Sequence, residues 1–369
     1  MTLLVSDDDI RPVAHQPGTA SRHRLRHCPP TLRARSRRSF RRSVRRNVQA
    51  GDRLGRATAP TLEANAWALP MPMPMPDADA ARVMSDADAM VSPQRRSGES
   101  GTPCWVELQT TDRASATTFY GELFGWRIDD LTATTTAAGH QPDQPGYSVA
   151  RKNNDAVAGI ACRAPASAIT ARWATYLAVD DVDEVVRSVG NNGGTVTMGP
   201  VNIIDTVIDA SIDTAIDTAR IAVVRDPTGA TVGLWQSDRL AGTTVVNEDG
   251  RLAWIELLTD DVDAAVGFYQ RVFGLAPQAV ELSGRPWFSL HSGPATNTPP
   301  VAGVVGKLSM QTPNHWNVYF GCDDIDRTAR RAVELGGSVV FGPAPTPIGP
   351  MAGIMDPHGA RFSLWGLSR

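Results

Sequence analysis

The sequence predicts an α+β fold in which four βαβββ modules pair into two tandem domains behind a disordered basic tail. Three observations carry that expectation. The chain changes character after its first hundred residues, the remainder repeats itself once, and each copy halves again. The expected boundaries are a tail over 1–100, a first domain over 101–238, a linker over 239–250 and a second domain over 251–369.

The tail is read from composition. Thirteen arginines fall between Arg22 and Arg56, then Met and Pro alternate from Met71 to Pro76, and Asp-Ala repeats follow. No apolar period is long enough to bury a face, so this part is expected to be disordered. Arg37-Arg38 resembles a twin-arginine export signal, but charged residues follow where an apolar stretch is needed, and export is rejected. A polyanion-binding tail, a transit peptide, and an upstream-extended start or functionless tail remain as readings, with the last favoured. Residues 1–100 carry 17 Arg against 10 acids, while the rest carries 19 basic and 29 acidic residues. The acidic balance of the folded part argues against a nucleic-acid-binding face there. No run approaches the ~18 apolar residues of a membrane span. The four cysteines (Cys28, Cys104, Cys162, Cys322) form no C-x-x-C pair, which excludes a zinc ribbon and fits a reducing cytoplasm.

The first module opens with an alternating strand from Trp105 into Asp112, a helix cap. Ala116, Phe119, Tyr120, Leu123 and Phe124 then make one apolar stripe, stopped by Gly125. Tyr147 to Lys152 and Val157 to Cys162 read as a hairpin around Asn153-Asn154. The second module repeats the plan with strand Thr175 to Val179, cap Asp181 and stripe Val182, Val185, Val186, Val189. It closes on Asp226-Pro227-Thr228-Gly229, whose order suits a type I turn. Trp254-Ile-Glu, Phe268-Tyr269, Phe273-Gly274, Trp316, Asp323-Asp324 and Asp356-Pro-His-Gly repeat these signals in the second copy. The first copy alone carries Ile-Asp-Thr/Ala repeats over Asn202 to Arg220. These are read as a surface insertion, with an amphipathic helix or lid as the other option.

On these motifs the chain resembles the vicinal oxygen chelate superfamily, which contains glyoxalase I, bleomycin-resistance proteins, fosfomycin-resistance enzymes and extradiol dioxygenases. The resemblance covers residues 104–236 and 253–366 and implies one metal ligand from the first strand and one from the last strand of each module. The first-strand positions here are Trp105, Ala174, Trp254 and Asn317. The last strands (Val157 to Cys162, Thr231 to Trp235, Val301 to Val305, Arg361 to Trp365) hold no Asp, Glu or His. No metal and no other cofactor is therefore expected, because a divalent ion needs at least three converging imidazole or carboxylate groups.

Residues two apart on a strand share a face. That places Trp105, Glu107, Tyr176 and Trp235 on one concave surface, with Gln109 beyond. Trp254, Glu256, Tyr319 and Trp365 lie on the other, with Asn317 and Ser363 alongside. These aromatic residues either form a pocket for a small-molecule ligand or fill the seam between modules. Glu107 and Glu256 are the candidate catalytic groups. Two function classes follow: a metal-free small-molecule-binding protein, or a glyoxalase- or dioxygenase-like enzyme. The sequence leaves the ligand and the oligomeric state open.

Overall fold

A computed structural model of the chain describes residues 99–131, 146–163, 170–205, 217–237, 247–282, 285–307, 309–310, 312–346 and 348–367. The arginine-rich tail lies outside them, as does the centre of the Ile-Asp-Thr/Ala insertion.

A carboxylate starts every helix among these residues. Asp112, Asp181, Asp261 and Asp324 each accept a hydrogen bond from the backbone N–H three residues on, satisfying a donor the first turn leaves open. The helices are α1 (Arg113–Phe124), α2 (Val182–Asn191), α3 (Val262–Phe273) and α4 (Ile325–Glu334). Gly125 and Gly274 end α1 and α3 at φ 67° and 70°, a conformation that penalises any residue with a Cβ.

Each helix sits inside one βαβββ module. The first module consists of β1 (Pro103–Thr110), α1, β2 (Arg127–Asp130), β3 (Tyr147–Lys152) and β4 (Asp155–Cys162). The second consists of β5 (Arg172–Ala178), α2, β6 (Thr195–Asp205), β7 (Asp217–Arg225) and β8 (Thr231–Gln236). The third runs β9 (Leu252–Thr259), α3, β10 (Ala276–Leu282), β11 (Arg285–His291) and β12 (Pro300–Gly306). The fourth runs β13 (His315–Cys322), α4, β14 (Ser338–Ala344), β15 (Met351–Met355) and β16 (Arg361–Gly366).

Modules pair through their first strands, β1 antiparallel to β5 and β9 antiparallel to β13. This gives two eight-stranded sheets ordered β2-β3-β4-β1-β5-β8-β7-β6 and β10-β11-β12-β9-β13-β16-β15-β14. The expected α+β class and the four modules in two tandem domains are what the structure shows. Asn153 and Asn154, at φ 52° and 73°, make the tight turn between β3 and β4, the conformation a two-residue hairpin requires.

The insertion departs from the helical option at both described ends. Asn202 to Asp205 pairs rung for rung with Arg220 to Asp217, so both ends lengthen the β6–β7 hairpin. The β-branched Ile203 suits that pleat. Ile203, Ala219 and Ile221 are buried there, against the concave side of the first sheet.

The helix-bearing faces of both sheets share one core. Phe119, Tyr120 and Phe124 from α1 join Phe268, Tyr269 and Phe273 from α3, and Phe320 and Phe362 from the second sheet. Two matching relays cross between the copies. Trp173 Nε1 donates to the Tyr120 hydroxyl at 3.1 Å, and that hydroxyl donates to Asp356 Oδ2 at 3.0 Å. Trp316 Nε1 donates to Tyr269 at 2.9 Å, and Tyr269 donates to Asp226 Oδ2 at 3.1 Å. Each aspartate also closes its own turn: Asp226 Oδ1 accepts from the Thr228 and Ala230 backbone, Asp356 Oδ1 from the His358 and Ala360 backbone. Burial raises both carboxyls above the ordinary aspartate range, opposed by these hydrogen bonds. The Phe-Tyr and Asp-Pro-x-Gly motifs thus tie one copy to the other.

Candidate functional site

The concave faces lie on the side of each sheet away from that shared core. The first is lined by Trp105, Tyr147, Val149, Tyr176 and Trp235, all buried, with Glu107 among them. Trp235 lies edge-on to Tyr176 at 5.8 Å and tilted to Trp105 at 6.5 Å. The second is lined by Trp254, Trp287, Tyr319, Met351 and Trp365. Its Trp254 stacks on Trp287 at 6.3 Å and meets Trp365 edge-on at 6.3 Å. Period-two alternation therefore brings together the aromatic residues and glutamates named from sequence, in two separate sets. Asn317 Nδ2 donates to Ser363 Oγ at 2.9 Å beside the second set.

Two contributors are missing from the sequence reading. Tyr147 on β3 and Trp287 on β11 occupy matching positions, since each pairs two residues beyond the glycine that faces the glutamate. The sequence signal that could have found them is the strand–glycine–strand register, not a fixed repeat offset, because loops of unequal length separate the copies.

The glutamates differ in their partners. Glu256 is held at both oxygens: Trp287 Nε1 donates to Oε1 at 2.6 Å and the Tyr319 hydroxyl donates to Oε2 at 2.7 Å. Glu107 accepts from Gln109 Nε2 at 3.1 Å through Oε1. Its Oε2 is buried without a hydrogen-bond partner among the described residues, as is Trp235 Nε1. In the first face Trp105 Nε1 donates instead to Tyr147 at 3.1 Å. The Tyr147 and Tyr176 hydroxyls approach the Glu107 carboxyl closely enough to share its electrostatics, without reaching Oε2 in hydrogen-bonding geometry. Burial pushes the Glu107 carboxyl up from its ordinary value, opposed by the Gln109 hydrogen bond, the Tyr147 hydroxyl and the Arg163 charge. The arrangement offers a carboxylate acceptor walled by indole and phenol rings.

A basic edge adjoins this acceptor. Gln109 Oε1 takes two guanidinium donors, Arg163 Nη1 at 2.5 Å and Arg172 Nε at 3.1 Å. Among the described residues neither arginine forms an ion pair. Burial and the neighbouring Arg163 charge hold Arg172 below its usual range.

The residues do not fit a metal of the kind the resemblance implies. Gly159 faces Glu107 and Gly233 faces Tyr176 across the last-strand rungs. A Cβ at Gly159 would meet the Tyr147 hydroxyl at 2.0 Å, and one at Gly233 the Tyr176 ring at 2.1 Å. The Tyr147 hydroxyl and the Tyr176 ring occupy the space directly over these two glycines, where a last-strand ligand side chain would start. Among the described residues no three His, Cys, Asp or Glu side chains cluster as an ion requires.

The buried cysteines and His291 are held in hydrogen bonds of the scaffold. Cys104 and Cys322 are buried and donate weakly to the Tyr176 and Trp365 carbonyls; burial pushes the Cys322 thiol up to about 12 and Cys104 higher still. His291 is buried with Nε2 on Ser289 and Nδ1 on the Thr298 carbonyl, a structural arrangement. No described helix is long and apolar enough to cross a membrane.

A family model described as the Glyoxalase/Bleomycin resistance protein/Dioxygenase superfamily matches residues 104–234 and 251–364. The chain belongs to that superfamily. It is 42% identical over 277 residues to a Mycobacterium bovis protein provisionally named glyoxylase CFP32, covering 74% of this chain and 97% of that one. It is 36% identical over 279 residues to the anthracycline biosynthesis protein DnrV of Streptomyces peucetius, covering 72% and 92%. Among solved structures it is similar to homoprotocatechuate 2,3-dioxygenase from Arthrobacter globiformis, at 16% identity and a TM-score of 0.48 over 75% of this chain and 83% of that one.

Proposed function

We propose that this superfamily member binds a small organic molecule on the concave face of its first sheet, without a family-type metal. The observation that carries this reading is the Glu107 carboxylate, buried with Oε2 unsatisfied among the described residues. A buried acceptor left without a donor costs about 1–3 kcal/mol, a cost that a bound hydrogen-bond donor removes. Trp235 Nε1 offers the complementary donor on the same face, and Trp105, Tyr147 and Tyr176 supply apolar walls. Glu256 lacks this need because Trp287 and Tyr319 already satisfy it.

A second reading, general-base catalysis by Glu107, draws on the same free oxygen. A carboxyl raised by burial is a stronger base than an exposed one once ionised.

The test is a thermal-shift screen of small organic molecules on the full chain, with and without divalent metals. Any stabilising compound should lose its shift in Glu107→Gln and keep it in Glu256→Gln. The reverse pattern would overturn the assignment to the first sheet. Stoichiometric metal in the purified chain, found by elemental analysis, would overturn the metal-free reading.

A further inference from the structure

We infer that the ligand of the first concave face is a small zwitterion, an amine-bearing organic acid whose ammonium meets Glu107 and whose acid group meets Arg163 and Arg172. The inference rests on the proposed ligand site and names what that site selects.

The ammonium end follows from the company Glu107 keeps. Its buried Oε2 lacks a donor in hydrogen-bonding geometry among the described residues. The Tyr147 and Tyr176 hydroxyls lie beside the carboxyl, and the rings of Trp105, Tyr147, Tyr176 and Trp235 pack on the same face. A carboxylate enclosed by aromatic faces favours a cation over a neutral donor, since ring quadrupole and carboxylate charge act in the same direction.

The acid end follows from the two guanidinium groups. Arg163 and Arg172 converge on a single neutral oxygen, Gln109 Oε1. The Arg163 charge makes Arg172 harder to hold charged, Glu107 attracts both only from beyond ion-pair distance, and no described carboxylate pairs directly with either. An incoming carboxylate or phosphate relieves that repulsion and offers the bidentate acceptor a guanidinium fits best.

Gln109 fixes the spacing between the ends. Its amide bridges the two, with Nε2 on Glu107 and Oε1 on the arginines. The two ends of the ligand are therefore separated by roughly one amide and the hydrogen bonds flanking it. The second sheet lacks the whole device: Leu258 stands where Gln109 stands, and Glu256 is satisfied.

The experiment is calorimetric titration of the full chain with a matched set: 4-(aminomethyl)benzoate, benzylamine and 4-methylbenzoate. The zwitterion should bind at least tenfold more tightly than either single-charge analogue. Arg172→Gln should reduce it to the benzylamine level, Arg172→Lys should restore part of the loss, and Glu107→Gln should reduce it to the 4-methylbenzoate level. Equal affinity for zwitterion and benzylamine, or an Arg172→Gln variant that binds unchanged, would overturn the acid end. Equal affinity for zwitterion and 4-methylbenzoate would overturn the ammonium end. If none of the three binds, the zwitterion class is wrong. The broader ligand site still stands if another compound's thermal shift depends on Glu107.

Discussion

The two concave faces start from the same residues and end in different electrostatic states. Both carry Trp, Glu, Tyr and Trp at matching rungs. In the second, Trp287 and Tyr319 saturate Glu256. In the first, Tyr replaces Trp287 at position 147, draws the Trp105 N–H to itself, and leaves Glu107 with an open oxygen. Tyr147 for Trp287, Gln109 for Leu258 and a Tyr176 that stops short of its counterpart's hydrogen bond together separate a satisfied carboxylate from an unsatisfied one. A buried carboxylate by itself says little about function; whether its partners come from the chain is what discriminates.

The largest effect expected from this contrast is on stability. Glu256→Leu should strand the Trp287 indole N–H and the Tyr319 hydroxyl in the interior, at about 1–3 kcal/mol for each donor. Glu107→Leu strands only the half-buried Gln109 amide and should cost less than half as much. Urea denaturation of both variants decides the matter: equal losses would show that the faces are energetically alike.

The relays between copies should behave symmetrically where the faces do not. Tyr120→Phe and Tyr269→Phe each remove a hydroxyl that accepts from a tryptophan and donates to an aspartate. Both should lower stability by about 2 kcal/mol, and unequal losses would place the load on one relay.

Acidity sharpens the contrast further. Burial raises the Glu107 carboxyl, so the folded chain holds that proton more firmly than the unfolded chain. Below the unfolded value both states are protonated and nothing is lost. As pH rises through the raised folded value, the parent sheds stability that Glu107→Gln keeps. The variant's advantage in melting temperature should therefore grow from about pH 4 toward neutrality. A flat difference would mean that Glu107 titrates alike folded and unfolded.

The smallest effect is a control on the scaffold. Asp112→Ala and Asp261→Ala remove equivalent helix caps and should each cost about 1 kcal/mol. Matching losses would show that the modules are equivalent and that the difference resides in the concave faces.

The sequence carries the fold well because its signals are local. Caps, stripes and the Asn153-Asn154 turn each act within a few residues, and the alternation of Trp105 and Glu107 follows from the pleat alone. The partners of Glu107 and Glu256 are less legible. Trp287 reaches Glu256, and Tyr147 comes to lie beside Glu107, from strands whose register depends on loops of unequal length. The roles of Asp226 and Asp356 are hidden for another reason: their tyrosines belong to the opposite copy. Arg163 and Arg172 meet at Gln109 only because β4 and β5 end and begin beside the same rung of β1.

The paired relays have a consequence for what the two faces are free to become. In a dimer of identical subunits, an exchange such as Tyr for Trp at one site appears at both, so the two surfaces stay twins. Here the same reciprocal contacts join halves encoded separately. Each half can change its interior while the seam, and with it the shared core, stays intact. One face can then serve as a filled structural block while its counterpart remains chemically incomplete.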